Sequence, residues 1–301
     1  METAYEKAPL KPTKPKSMSP WAIARRKFIR NKLAMFCLIF LLFVATVCIL
    51  APVLTNHDVS KLNLDKLSKP PSSEHWLGTD KGGRDVLTRL LYGGRISLLI
   101  GISCTFFVIL LGTTIGSIAG YFGGVVDNIL MRFTDFILTF PFLVFVIVLN
   151  AVLFGKVNGI WVLIAVISLL SWGGIARVVR SKILAEKENE YVLAAISIGC
   201  RPSKVIIKHL LPNVLSTIIV QATLTFASMI VAESGLSFLG FGVPSDKASW
   251  GNMLSYAREP DVLSSKMWMW LPPALAITFT ILSINFIGEG IKDALNPKSR
   301  R

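Results

Sequence analysis

Six apolar stretches, separated by polar ones, dominate the chain. They run over 33–54, 96–119, 136–154, 157–176, 214–232 and 268–288, and none contains Asp, Glu, Lys or Arg. A helix needs about 20 predominantly apolar residues to cross the hydrocarbon core of a bilayer, so each stretch predicts a span. A transmembrane barrel would instead show period-two alternation over successive segments of about ten residues. No such alternation is present. The pattern predicts an all-α integral membrane protein with six transmembrane helices. No small-residue cleavage site follows the first stretch, which reads as a retained anchor rather than a signal peptide. Four regions result: a basic tail with an interfacial helix over 1–32, the first span and a long extracellular loop over 33–95, a core over 96–290 with a cytoplasmic loop at 177–213, and a cytoplasmic tail over 291–301.

The polar stretches add local expectations. Residues 1–18, rich in Lys and Pro, predict a disordered tail. Ser19 and Pro20 form a helix-start signal, an N-cap followed by proline at the first helical position. Trp21, Ala24 and Phe28 with Arg25, Arg26 and Arg30 suggest an amphipathic helix on the membrane surface. In the loop over 55–95, Gly78, Gly82 and Gly83 mark turns. Val86, Leu87, Leu90 and Leu91 predict a short interfacial helix leading into the second span. Arg84 and Asp85 are expected to pair with each other or with a neighbouring subunit, as loop scaffold more than as ligand contacts. Arg132 and Asp135, three residues apart, share a helix face and are expected to pair. Pro141 should kink the third span, either easing packing or lining a pathway. Glu233 is placed near the outer end of the fifth span, solvated at the mouth or acting as a functional acid. Asn285, near the inner end of the sixth, is expected to bond to a neighbouring helix, a role in the solute path being the alternative.

Composition agrees with this picture. The chain is 52% hydrophobic and 17% charged, against about 25% charged for soluble domains. Its formal net charge of +14 does not point to nucleic acid, because the Lys and Arg lie between the apolar runs, where they orient a chain in a bilayer. With the N-terminus inside, 21 of the 32 Lys and Arg fall on the cytoplasmic side. Both termini are therefore expected in the cytoplasm. Cys37, Cys48, Cys104 and Cys200 show no paired ligand spacing and read as small apolar packers. His57, His75 and His209 are too scattered to suggest a metal site, and no metal is expected.

The segment "EYVLAAISIGCRPSKVIIKHLLPN", over 190–213, separates the fourth run from the fifth. Asn189 can cap a helix beginning at Glu190, whose carboxylate in the first turn suits the helix dipole. Tyr191, Ala194, Ala195 and Ile198 share one face at helical spacing, and the alanines allow close approach of another surface. Gly199 supplies a C-terminal stop. Pro202 starts a second helix, apolar at Val205, Ile206, Leu210 and Leu211, which Pro212 closes before the fifth span. Such a knob suits the groove of a partner. It equally suits a helix resting on lipid, and periodicity leaves both open.

Glu190, Ala194, Ala195, Gly199, Ile206, Leu211 and Pro212 together resemble the "EAA" loop of permease subunits in ABC importers. From about residue 20 onward, "LGTDKGGRDVLTRLLYGGRISL", "GYFGGVVDNILMR", "EYVLAAISIG", "HLLPN", "ESGLSFLGFGVP", "SWGNML" and "IGEGIKDALNP" resemble blocks of the C-type permease of dipeptide and oligopeptide importers. Glu289 and Asn296 stand where that family is expected to carry aspartates. The resemblance implies a type I importer permease fold in a prokaryotic cytoplasmic membrane. It implies that the helix over 190–199 docks into a cleft on a cytoplasmic ATPase, with Arg201, Pro202, Leu211 and Pro212 supporting the loop. The implied partners are a homologous B-type permease, two ATPase subunits, an extracellular peptide-binding protein and membrane lipid, with peptide as substrate and no nucleic acid. The chain has no G-x-x-x-x-G-K-[ST] phosphate loop, so ATP and Mg are expected on partner subunits, with no cofactor and no catalytic residue here. Glu233, Pro141 and Asn285 are the candidates for pathway or gate. Nickel, metal chelates or glycosides are alternative cargos for the same fold. An ion-coupled secondary transporter is the reading from another class, and it would call for ionisable residues inside the spans.

Overall fold

The computed structural model describes residues 20–153 and 159–295. The expectations for 1–18, Ser19 and Asn296 concern residues outside that set. Apart from one isolated bridge between Thr79 and Asp85, the regular structure among the described residues is helical. α1 (Pro20–Arg30) is the expected amphipathic helix and packs on the last helix of the chain. Asn31 then accepts from the Ala34 amide at 3.1 Å and starts α2 (Lys32–Ile49), which a short α3 (Ala51–Leu54) follows. α4 (Val86–Phe122) runs unbroken for 37 residues. The separate interfacial helix expected before the second span is therefore the first turns of α4. No proline interrupts them, and Gly93 and Gly94 serve close packing instead: a Cβ on Gly94 would lie 2.3 Å from the Cys48 sulfur.

The third span departs most from expectation. α5 (Gly124–Thr139) begins well before residue 136, and α6 (Phe142–Leu153) leaves it at an angle of 83°. Pro141 explains the break. It cannot donate a backbone hydrogen bond, and its ring pushes Phe140 into extended geometry (φ −71°, ψ 133°). The kink read from Pro141 is thus a corner.

α7 (Gly159–Lys187), α8 (Glu190–Ser197) and α9 (Pro202–Val205) follow. α9 passes through a π turn at Ile206–Leu210 into α10 (Leu211–Leu239), giving one helical path over Pro202–Leu239. Pro212 therefore continues a helix rather than closing one. In the π turn the Leu211 amide bonds to the Ile206 carbonyl, five residues back. Pro212 has no N–H to donate and its ring crowds the carbonyl four residues back, so the helix widens locally where it takes up the proline. α11 (Trp250–Leu254), α12 (Pro260–Ser265) and α13 (Leu271–Leu295) complete the chain. Among the described residues, five helices are long and apolar enough to cross a membrane, and six if the bent α5–α6 pair is one broken span.

α4 and α7 form the most extensive helix pair. Gly112, Gly116 and Gly120 line the side of α4 that meets Ile175, Ala176 and Ile183 of α7, where added Cβ atoms would lie 2.4–2.9 Å from their nearest neighbours. Small residues at four-residue intervals let two backbones approach, which is how helices gain contact where lipid competes equally for apolar surface. Two ion pairs join α5 to α7: Asp127 with Arg180 at 2.5 Å, and Asp135 with Arg177 at 2.6 Å. Asp135 was expected to pair with Arg132. Arg132 lies exposed on α5, and the guanidinium that reaches Asp135 comes from the packed neighbour instead.

The bundle has two faces. The loop face carries 55–85, α11 and α12. The knob face carries α1, α8 and the C-terminal end of α7. Asp80, fully buried on the loop face, accepts from the Gly82 and Arg84 amides, Arg84 Nε at 2.9 Å and the Tyr256 hydroxyl at 3.0 Å. Arg84 thus pairs with Asp80. Asp85 instead caps α4, accepting from the Thr88 amide at 2.7 Å, and meets His75 Nδ1 at 2.9 Å. The two are loop scaffold as expected, but not as a pair. Histidines distant in sequence also converge here, the rings of His57 and His75 lying 4.8 Å apart. The spacing that made the histidines look too scattered for a metal site thus hides a spatial pair, His57 and His75, which His209 does not join.

Candidate functional site

α8 is a two-turn helix projecting from the knob face, fixed at both ends. Glu190 stands exposed in its first turn. At its start the Asn189 carbonyl accepts from the Val192 and Leu193 amides at 2.9 and 3.1 Å. The Asn189 side chain makes no cap bond, contrary to expectation. At its end Gly199, with φ +79°, donates to the Ile196 carbonyl while Cys200 donates to Ala195 at 3.1 Å. This paired closure is the Schellman motif, and its left-handed residue favours glycine.

The helix divides its apolar residues between two surfaces. Val192 and Ala195 are buried, and Val192 joins the same continuous core as Ile183 of α7, Val205 of α9 and Leu210. Tyr191, Leu193, Ala194, Ile196 and Ile198 face outward, Ile198 being 81% exposed. The single face expected for Tyr191, Ala194, Ala195 and Ile198 is therefore corrected: Ala195 lies on the inward side, three residues from Val192. The helix is thus anchored by its inner surface and leaves an apolar outer surface uncovered within the chain.

Tyr191 has a second task. Its hydroxyl donates to the Glu186 carboxylate and accepts from Asn213 Nδ2 at 2.8 Å, which also donates to the His209 carbonyl at 2.7 Å. One phenol so ties the end of α7, α8 and the start of α10. Desolvation, followed by the Glu186 carboxylate, pushes its pKa up to about 12, and the phenol keeps its proton at neutral pH. Arg201 takes the N-cap position of α9, its carbonyl accepting from Lys204 and Val205, and Pro202 opens that helix. Leu211 and Pro212 sit where the π turn passes into α10. Lys187 Nζ donates to the Tyr121 carbonyl at 2.7 Å and strapped against α4 it holds the end of α7. Sequence reasoning missed Glu186, Lys187 and Asn213. The signals for them were polarity beside the predicted helix and, for Asn213, its place at the end of the "HLLPN" block.

The three pathway candidates do not form one site. Glu233 is fully buried inside α10, not solvated at a mouth. Its carboxylate accepts from Ser97 of α4 at 2.9 Å and Ser237 of α10 at 2.8 Å. Ser97 in turn accepts from the Trp250 amide of α11, and Ser237 from the Val243 amide. The hydroxyl protons must then point at the carboxylate, so Glu233 organises a closed polar junction of three elements. Pro141 is exposed at the α5–α6 corner. Asn285 is exposed on α13, and among the described residues no neighbouring-helix bond is seen for it.

The family described as binding-protein-dependent transport system inner membrane component matches residues 112–301. The N-terminal transmembrane domain of oligopeptide transport permease C matches residues 19–71. The chain is 42% identical to the dipeptide transport system permease protein of Bacillus subtilis, over 95% of this chain and 88% of that one. It is 40% identical to the oligopeptide transport system permease protein of the same organism, over 95% and 92%. Its identity to the oligopeptide transport system permease protein of Haemophilus influenzae is 40%, over 94% and 90%.

Proposed function

Because the chain belongs to the family of binding-protein-dependent transport system inner membrane components, we propose that it is the peptide-conducting permease subunit of an ATP-driven importer, coupled to its ATPase through α8. It is a multi-pass protein of the bacterial cytoplasmic membrane. The names of its relatives support peptide as the cargo. The partners of such a subunit are a second permease, two ATPase chains and a solute-binding protein. ATP and Mg act on the ATPases, and this chain contributes no catalytic residue. The knob face and both termini lie in the cytoplasm, supported by Arg25, Arg26, Arg30, Lys182, Lys204 and Lys208 on that side.

One observation carries the coupling role. α8 presents Ala194, Ile196 and Ile198 outward while Val192, Ala195 and the Tyr191 hydroxyl bind it to α7 and α10. A helix so anchored transmits displacement at its outer surface into two spans instead of flexing. ATP binding draws the ATPases together, the knob follows, and the spans rearrange to expose the path to one side of the membrane and then the other. Glu233 serves this cycle as a junction holding α4, α10 and α11, not as a peptide contact. Pro141 and Asn285 lie on surface open to the second permease.

A photoactivatable residue at position 198 of the intact transporter tests the docking. An adduct with the ATPase chain is expected. Adducts with lipid alone would reduce α8 to an interfacial helix.

A further inference from the structure

The loop face holds a second constellation, apart from α8 and from Glu233. His57 follows α3, His75 lies in the loop, and Asp85 is the N-cap of α4. One ring nitrogen from each histidine and a carboxylate oxygen of Asp85 all lie within 4.8 Å of one another. Among the described residues this is the only group of three or more His, Cys, Asp and Glu side chains so placed. We propose that His57, His75 and Asp85 bind a divalent transition-metal ion of the zinc type.

The donor set fits that chemistry. Two borderline imidazoles with one carboxylate oxygen form a donor set that zinc takes, and three protein ligands leave a fourth position for water. Bonds of about 2.0–2.1 Å at tetrahedral angles put ligand atoms roughly 3.3 Å apart. His75 Nδ1 and Asp85 Oδ1 are 2.9 Å apart and need open only slightly. His57, exposed at the loop surface, has room to close in.

Asp85 is prepared for the task. Its Oδ2 accepts from the Thr88 amide at 2.7 Å and the Thr88 hydroxyl at 2.8 Å, leaving Oδ1 directed at His75. A ligating carboxylate is normally oriented by such outer hydrogen bonds. A metal on Nδ1 takes the place of the ring proton, and the neutral imidazole then carries its proton on Nε2. Glu74 Oε1, 4.0 Å from Nε2, is the acceptor at hand. Lys66 Nζ, 3.5 Å from Nε2, is the opposing charge, and its ion pair with Glu74 offsets it. Bound metal would join the start of the 55–85 loop to the first turn of α4 and close the loop at its base.

The test uses the full chain, purified in detergent without a polyhistidine tag, and zinc competed against a chromophoric chelator at pH 7.5. About one zinc ion per chain is expected, as a three-ligand site requires. His57→Ala, at an exposed position, should weaken binding by more than about tenfold, and Asp85→Asn, which keeps the helix cap, should do likewise. His209→Ala and Cys200→Ser should bind as the wild type does. Zinc should raise the melting temperature of the wild type and not that of His57→Ala. Absence of binding by the wild type, or undiminished binding by a folded His57→Ala protein, would overturn the proposal.

Discussion

Glu233 shows how one residue carries more than its position in the sequence suggests. Burying a carboxylate costs several kcal/mol unless hydrogen bonds replace its water, and Ser97 and Ser237 provide them. Glu233→Leu leaves both hydroxyls facing an alkyl group, at about 1–3 kcal/mol for each stranded buried group. A clear fall in melting temperature is expected, with Glu233→Gln intermediate; equal melting of all three proteins would show that the junction bears no load. This environment was not legible in the chain, because Ser97 is 136 residues away. An acid at the end of an apolar run reads equally as a solvated or a functional group until its partners are known. Tyr191 is a similar case. Its aromatic ring suggested a docking face, and only its place beside Glu186 and Asn213 makes the hydroxyl a pin. Tyr191→Phe keeps the ring and removes the pin, a change of about 1 kcal/mol. Peptide-stimulated ATP hydrolysis should fall several-fold while the complex still assembles; unchanged stimulation would assign the rigidity of α8 to Val192 and Gly199 alone.

Elements were legible where a single run of residues decides them. The long spans follow from apolar length, and the end of α8 follows from Gly199, whose φ of +79° a side chain strains by roughly 1–2 kcal/mol. Elements were misread where pairing across the bundle or a proline's local chemistry decides. Pro141 turned a kink into a corner, and Pro212 was absorbed by a π turn that no periodicity announces. The glycines of α4 mark a packing rule specific to lipid. Gly116→Leu would drive a Cβ to 2.4 Å from the Ala176 carbonyl oxygen and force α4 from α7. Loss of folded, monodisperse protein is expected, whereas Gly174→Ala on α7, with nothing within 4 Å of its added Cβ, should behave as the wild type. Equal yields from both variants would remove close packing as the reason for the glycines.

At the scale of the molecule, the chain is a membrane bundle with a rigid knob on one face and a hydrogen-bonded loop on the other. Its core runs without interruption from Val192 through α7 to Ile100 and Cys104 of α4, the continuous packing on which the proposed coupling relies. The most direct measurement of this account is peptide uptake and ATP hydrolysis by the complete transporter in proteoliposomes, comparing wild type with Ile198→Asp. Ile198 touches the outside of the knob, so the substitution spares the inner packing. The account predicts that the variant inserts and folds normally, and that peptide uptake falls by more than about tenfold, as loss of a buried interface anchor would produce. Wild-type uptake by Ile198→Asp would contradict it.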